Sequence, residues 1–252
     1  MTTTTTPPTL HVVQYSGGIT SWAAAQRVAA QHGTDHLVLL FADVRAEHPD
    51  LYRFLDDTTA QLGVPLTRVA DGRTPFQLFR DIRYLGNSRV APCTYWLKIV
   101  PCRRWLEANA DPANTILYIG LDASTRDRRR APGITAGWAP WTVRFPLLDE
   151  PHLTKTDQLN WARTLGIEPP ELYKLGFDHN NCHGLCIRAG IGQWTHAARV
   201  FPEQFAAAAA AEAQLRADLG DVAILTEQRN RVRHRLPLTV LCQRITDAGA
   251  AA

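Results

Sequence analysis

Two short stretches carry residue types suited to chemistry. The first is Ser16-Gly17-Gly18-Ile19-Thr20-Ser21, and the second is the cysteine-bearing run from His179 to Gly190. Paired glycines let a backbone approach a ligand closely and adopt positive φ. Where such a pair opens a helix, unpaired amides and the helix dipole favour an anion. Ser16 and Ser21 add hydroxyl donors. A glycine pair alone is an ordinary strand-to-helix turn; its placement at the first crossover is what makes it specific. No Lys-Ser/Thr pair follows, which excludes a Walker loop. In the second stretch Cys182 and Cys186 stand four apart, flanked by Gly184 and by His179 and His183. Thiolates near a helix start and near Arg188 would have lowered pKa values, which suits metal binding.

These residues need strands and helices to hold them. Leu10–Tyr15 is short, apolar and β-branched and reads as a buried strand, feeding a helix over Trp22–Ala30. His36–Ala42 reads as a second strand, Leu51–Leu62 as a helix and Leu66–Ala70 as a third strand. That alternation predicts a parallel sheet covered by helices. Pro75–Ile82 and Tyr95–Ala108 read as helices, with Cys93 just before the second, and Thr115–Leu121 as another strand. Residues 122–141 read as a basic loop and Val143–Leu148 as a last strand. Beyond them come a helix over Thr156–Leu165, the cysteine loop and a long alanine-rich helix from Pro202 to Leu219. The expected division is a lead-in over 1–9, an α/β nucleotide-binding domain over 10–150, and a mostly helical C-terminal region with the cysteine loop over 151–252.

Bulk properties narrow the class. The chain has 252 residues, is 45% hydrophobic and carries a net charge of +3, enough for one sizeable core in a mildly basic protein. No apolar run reaches the roughly 20 residues of a membrane-spanning helix. Met1–Pro8 lacks the basic and apolar segments of a signal peptide and reads as a disordered lead-in, so a cytoplasmic location without membrane association is expected. Five cysteines, an odd number, argue against a disulfide framework.

The strand-SGGxxS-helix arrangement resembles the PP-loop of the adenine nucleotide α-hydrolase superfamily, which includes ATP pyrophosphatases, tRNA thiolation enzymes and phosphoadenylylsulfate (PAPS) reductases. Thr20 stands where common members carry aspartate. The resemblance spans about residues 10–190 and is closest to the PAPS-reductase-like branch. Asp43 ends the second strand, where that branch carries an acid. Cys93, Lys98 and Pro101 match its Cys-x-x-x-x-Lys-x-x-Pro segment. Gly120-Leu121-Asp122 with Arg126, Arg128 and Arg129 is similar to its glycine segment with downstream arginine. Phe145–Leu148, Leu172-Tyr173 with Gly176-Phe177, and Cys182 follow in the order of its later motifs.

The resemblance implies a Rossmann-like, HUP-type parallel five-stranded sheet flanked by helices, with ATP and Mg2+ as cofactors and cleavage between the α- and β-phosphates. Such catalysis is mainly positioning and electrostatic stabilisation. Ser16, Gly17, Gly18, Ile19, Thr20 and Ser21, with Gly120 and Asp122, would bind the nucleotide. Lys98 and Arg128 would place positive charge near the phosphates, and Asp43 would serve as a magnesium or water ligand. Arg126, Arg128, Arg129 and Arg130 together read as an anion site.

For the cysteines, three thiols from two segments, Cys93, Cys182 and Cys186, could hold three irons of a [4Fe-4S] cluster and leave one iron open. Zinc on Cys182, Cys186, His179 and His183, a redox or persulfide pair, and inert buried thiols are the alternatives. Cys102 and Cys242 read as core. Arg229–Arg235 is a basic run suited either to a nucleic-acid backbone or to solvent. Trp138, Trp141 and Trp194 read as core or lid packing rather than base-stacking groups.

Three functions follow. One is ATP-dependent adenylation of a nucleic acid or nucleobase-like acceptor for sulfur transfer, with a separate sulfur donor protein. Another is sulfonucleotide reduction, although the Glu-Cys-Gly-Leu-His tail of such reductases is missing. The third is nucleotide binding without turnover, inside a complex. The acceptor and the oligomeric state are not encoded legibly.

Overall fold

The computed structural model of the chain describes residues 8–250. Most of the expected lead-in, residues 1–7, therefore lies outside the described residues. In chain order the elements are β1 (Leu10–Gln14), α1 (Ile19–His32), β2 (Leu37–Ala42), α2 (Pro49–Leu62), β3 (Leu66–Val69), α3 (Pro75–Asp81) and the single turn α4 (Pro92–Thr94). A π-helical turn over Tyr95–Ile99 leads into α5 (Val100–Asn109), then β4 (Thr115–Ile119), α6 (Thr125–Gly137), β5 (Thr142–Arg144), α7 (Lys155–Thr164) and α8 (Glu171–Lys174). The chain ends with α9 (Ile191–Val200), α10 (Pro202–Leu219), β6 (Leu225–Arg229), β7 (Val232–Leu236) and α11 (Leu238–Ala250). Among the described residues no helix is long and apolar enough to cross a membrane.

The chain divides into two compact units. One holds the residues up to Ala42, Pro49–Val69 and Pro101–Lys174; the other holds Asp43–His48, Ala70–Val100 and Leu175 onward. The expected single boundary near residue 150 does not coincide with this division. The segment 151–174 falls in the first unit, and 43–48 and 70–100 fall in the second. Hydropathy patterning follows local elements and cannot see which of them share a core.

The first unit is the expected α/β layer. Its five strands are all parallel, in the order β3-β2-β1-β4-β5. Val12, Val13, Leu39, Phe41 and Leu117 are buried, as a sheet with both faces covered requires. On α1, Trp22 and Ala23–Ala25 are fully buried; the small alanines allow close approach to the strands, and Trp22 meets Trp161 edge-on at 5.0 Å. Residues 122–141, expected as a loop, contain α6. Ser124 caps it by accepting from the Asp127 amide, and Pro132, Gly133 and Gly137 disguise its helical character. The last strand is shorter than expected and stops at Arg144, because Phe145-Pro146 turns the chain into a tight helical turn.

The second unit is mostly helical, with one antiparallel hairpin. Thr74 and Gln77 form a capping box at the start of α3. Phe205, Ala208, Ala209, Glu212 and Leu215 form the buried face of α10 at helical spacing. Glu212 is fully buried and accepts from Ile224 N at 2.8 Å and Leu238 N at 2.5 Å, pinning both ends of the hairpin segment. The basic run Arg229–Arg235 spans the end of β6, the turn and most of β7 in that hairpin. Cys102 is buried as expected, but Cys242 is exposed. Leu238 and Leu241 fill the inward face of α11, and Cys242 falls beside it.

Candidate nucleotide loop and thiol site

In the first unit β1 lies between β2 and β4, so the strand order reverses beside it. Ligands of open α/β sheets bind at such a switch point, outside the carboxyl ends of the strands. Ser16–Ser21 occupies that place. Gly17 has φ +75°, and a Cβ there would meet Leu51 at 2.8 Å, so this position requires glycine. Ser21 Oγ donates to Gly18 O at 2.8 Å, and Ser16 N donates to Ser21 Oγ at 3.2 Å, which closes the loop on itself. Helix α1 has Gly18 at its N-cap, with no side-chain cap and no acid in its first turn. Its positive end is thus left for an anion. Tyr173, carried by α8, accepts from Ile19 N at 3.1 Å.

The segment after β4 meets the loop. A Cβ on Gly120 would lie 2.8 Å from Thr20 O and 3.0 Å from Ser21 N, so the two backbones are in direct contact there. Asp122 accepts from Ser124 N at 2.9 Å and shapes the turn into α6. Arg128 donates from Nε to Ala123 O at 3.1 Å and lies 2.8 Å from His152 Nε2, while Arg130 pairs with Asp127 at 2.7 Å. Arg126 and Arg129 are exposed on the same helix. Trp138, Trp141 and Trp194 are buried, in keeping with packing roles.

In the second unit, Asp43 is buried directly after β2 and accepts from Arg45 N at 2.8 Å. Cys93, Cys182 and Cys186 all border one cavity of ≈ 320 Å³, lined mainly by apolar side chains such as Phe76, Leu185 and Ile187. Cys93 comes from α4. Cys182 and Cys186 come from a loop whose residues Cys182, His183 and Gly184 all have positive φ, a tight turn that brings the two thiols together. The π-helical turn between Cys93 and Lys98, expected as plain helix, widens the spiral so that this five-residue step keeps both near the thiols.

Lys98, expected beside phosphate, sits among these sulfurs and lies 3.7 Å from the buried Glu47 carboxylate. Burial opposes its charge, but Glu47 and the three cysteines outweigh that and raise its pKa. The hydrogen bond from Cys182 stabilises the Cys186 thiolate, with help from the Arg188 amide and Lys98, and brings its pKa down to about 6. That same hydrogen bond, with burial and Glu47, pushes Cys182 up. Burial and the neighbouring Cys186 push Cys93 up. The site therefore holds one ready thiolate and two protonated thiols around a cation.

Three thiols on two segments suit a cluster with one open iron. Among the described residues, however, no three His, Cys, Asp or Glu side chains are arranged to hold a metal ion, so neither a three-cysteine cluster site nor a four-ligand zinc site is preformed. His183 instead packs its ring against His48 and Phe201, at 4.6 and 4.5 Å.

Two participants escaped sequence reasoning. Glu47 accepts from the Cys182 amide and balances Lys98, yet a lone glutamate four residues past Asp43 carries no signal. Tyr173 belonged to a motif but showed no role until its hydroxyl was seen on the loop.

A parallel sheet with an uncapped glycine loop at its switch point defines a Rossmann-like α/β protein suited to an anionic ligand. The model of the phosphoadenosine phosphosulfate reductase domain matches residues 10–183, and the chain belongs to that family. Among solved structures it is similar to phosphoadenylyl-sulfate (PAPS) reductase from Candida auris in a phosphate complex, with 14% identity over 71% of this chain and 83% of that one and a TM-score of 0.48. No curated protein sequence matches it.

Proposed function

We propose that this protein cleaves ATP between its α- and β-phosphates to adenylate an acceptor, and that the thiol site serves sulfur transfer to that acceptor. The observation that carries this reading is the gathering of Cys93, Cys182 and Cys186 at one cavity, with Lys98 close enough to interact electrostatically with all three. Ser16–Ser21, Gly120 and Asp122 would hold the nucleotide, with Asp43 as a magnesium ligand and Arg128 as a phosphate partner. Cys93, Cys182 and Cys186 would hold a [4Fe-4S] cluster, whose open iron would supply a binding position for sulfide. Lys98 would offset the negative charge of the three thiolates once they held the cluster, and Glu47 holds both Lys98 and the Cys182 backbone in place. The apolar cavity walls exclude water from the sulfur, which protects a reactive sulfide from loss.

The test is iron and acid-labile sulfide in anaerobically purified protein, together with AMP and pyrophosphate formation from ATP. Matching iron and sulfide, lost in Cys186→Ala, is the expected result. Iron retained in full by that variant would overturn the cluster assignment, and ATP left uncleaved with every acceptor class would overturn the adenylation. One observation favours a second reading, sulfonucleotide reduction. Cys186 as thiolate, hydrogen-bonded to Cys182, is a ready dithiol pair. Release of sulfite from a sulfonucleotide by metal-free protein would select it.

A further inference from the structure

The hairpin β6–β7 and the turn at Asn87–Arg89 form a second concave site. A cavity of ≈ 340 Å³ is lined by Asn87, Ser88 and Arg89 and by the hairpin residues Thr226, Arg233 and Arg235. No acidic side chain lines it. The turn is built to present its tip: Asn87 Oδ1 accepts from the amides of Arg89 and Val90 at 3.0 and 3.1 Å, and Ser88 and Arg89 are exposed.

The hairpin register explains why its cations face outward. Thr226 opposes Arg235 and Gln228 opposes Arg233, so these four share one face. The alternate face carries buried Leu225 and Leu236, and Glu227, which binds Arg244 of α11 at 2.8 and 3.0 Å. Leu225, Leu236 and Glu227 thus anchor one face, although His234 on that face also borders the cavity, and the other face is polar and basic. Arg235 is shared with Asp221 at 3.1 Å, whereas among the described residues Arg89 and Arg233 have no carboxylate partner. Two unneutralised guanidiniums, hydroxyls from Ser88 and Thr226 and an acid-free lining match the repeating charge and acceptor oxygens of a phosphodiester chain. The site is a cavity of only ≈ 340 Å³, a size that can take part of one chain but not a duplex.

We propose that this groove binds the backbone of single-stranded nucleic acid. It uses none of the loop or thiol residues, and its test needs no turnover, so it stands or falls separately from the proposed chemistry.

The experiment is binding of a short fluorescent single-stranded oligonucleotide of mixed sequence to the full chain over a range of salt concentrations, without ATP. Each phosphate contact steepens the logarithmic salt dependence by about 0.7 for a single strand. Arg89→Ala with Arg233→Ala is expected to reduce that slope by about 1.4 and weaken binding about equally for all sequences. The double lysine variant is expected to keep most of the affinity, and all variants should unfold at the wild-type temperature. Several results would overturn the proposal: no oligonucleotide binding by the wild type, or an unchanged slope in the double alanine variant. Equal competition by inorganic phosphate would reduce the groove to a small-anion site. Equal binding of poly-glutamate would reassign it to acidic protein.

Discussion

Replacing Gly120 with alanine tests the link between sheet and loop. The added Cβ would sit 2.8 Å from Thr20 O, about 0.6 Å inside ordinary contact. Its neighbours are backbone atoms of the loop and the first turn of α1, which cannot swing aside as a long side chain can. Either β4 or the loop must move. Overpacking of this kind costs about 1–3 kcal/mol. The same shift would misplace the amides proposed to hold phosphate. An affinity loss of at least about tenfold for ATP, ~1.4 kcal/mol, is expected by isothermal titration. Gly133→Ala is the matched control: it lies on α6 with nothing within 4 Å of an added Cβ. That change should leave ATP affinity alone and stabilise the helix by about 0.5–1 kcal/mol in urea unfolding. If Gly120→Ala bound ATP as tightly as the control does, the placement of the nucleotide against this loop would be wrong.

Further outcomes can be measured directly. In metal-free protein, alkylation of Cys186 by iodoacetamide should rise as pH passes about 6 and then level off, with Cys93 and Cys182 reacting only at much higher pH. Lys98→Met should move the Cys186 profile upward, since the ammonium helps hold the thiolate; mass spectrometry of the alkylated peptides would show no movement if the cation played no part. Glu212→Ala should cost about 2–6 kcal/mol by stranding the Ile224 and Leu238 amides. Burial raises the Glu212 pKa above its ordinary 4.5, so the folded protein holds this proton more tightly than the unfolded chain. Its stabilising contribution is full below 4.5 and lost as pH rises through the folded value. A Glu212→Gln variant whose stability kept the wild-type slope across that window would show that another group carries it.

The parallel sheet and the glycine loop were legible because both are local. Buried strands here are unbroken apolar runs, and SGGITS stands between one such run and a helix. The order of weak motifs then singled out Asp43, Cys93, Lys98 and Gly120 as candidates. Other features depended on tertiary context. Helix α6 is held by its Ser124 cap despite an internal proline. The hairpin hides in a charged run because only Leu225 and Leu236 mark its buried face. Lys98 was assigned to phosphate by motif, whereas the acid that positions it, Glu47, enters through a six-residue detour of the chain.

That detour has a consequence for how the protein can be divided. The backbone passes between the units after residues 42, 48, 69, 100 and 174. A fragment beginning at Leu175 would keep Cys182 and Cys186 but lack Cys93, Lys98 and Glu47. A fragment ending at Lys174 would keep the sheet and strand Phe79 and Leu85 without their partners Trp194 and Phe205. A cut after Lys174 thus leaves the core of the sheet unit whole but splits the core of the second unit. The stretch that carries the thiols therefore cannot be cut from the stretch that carries the sheet without splitting a core.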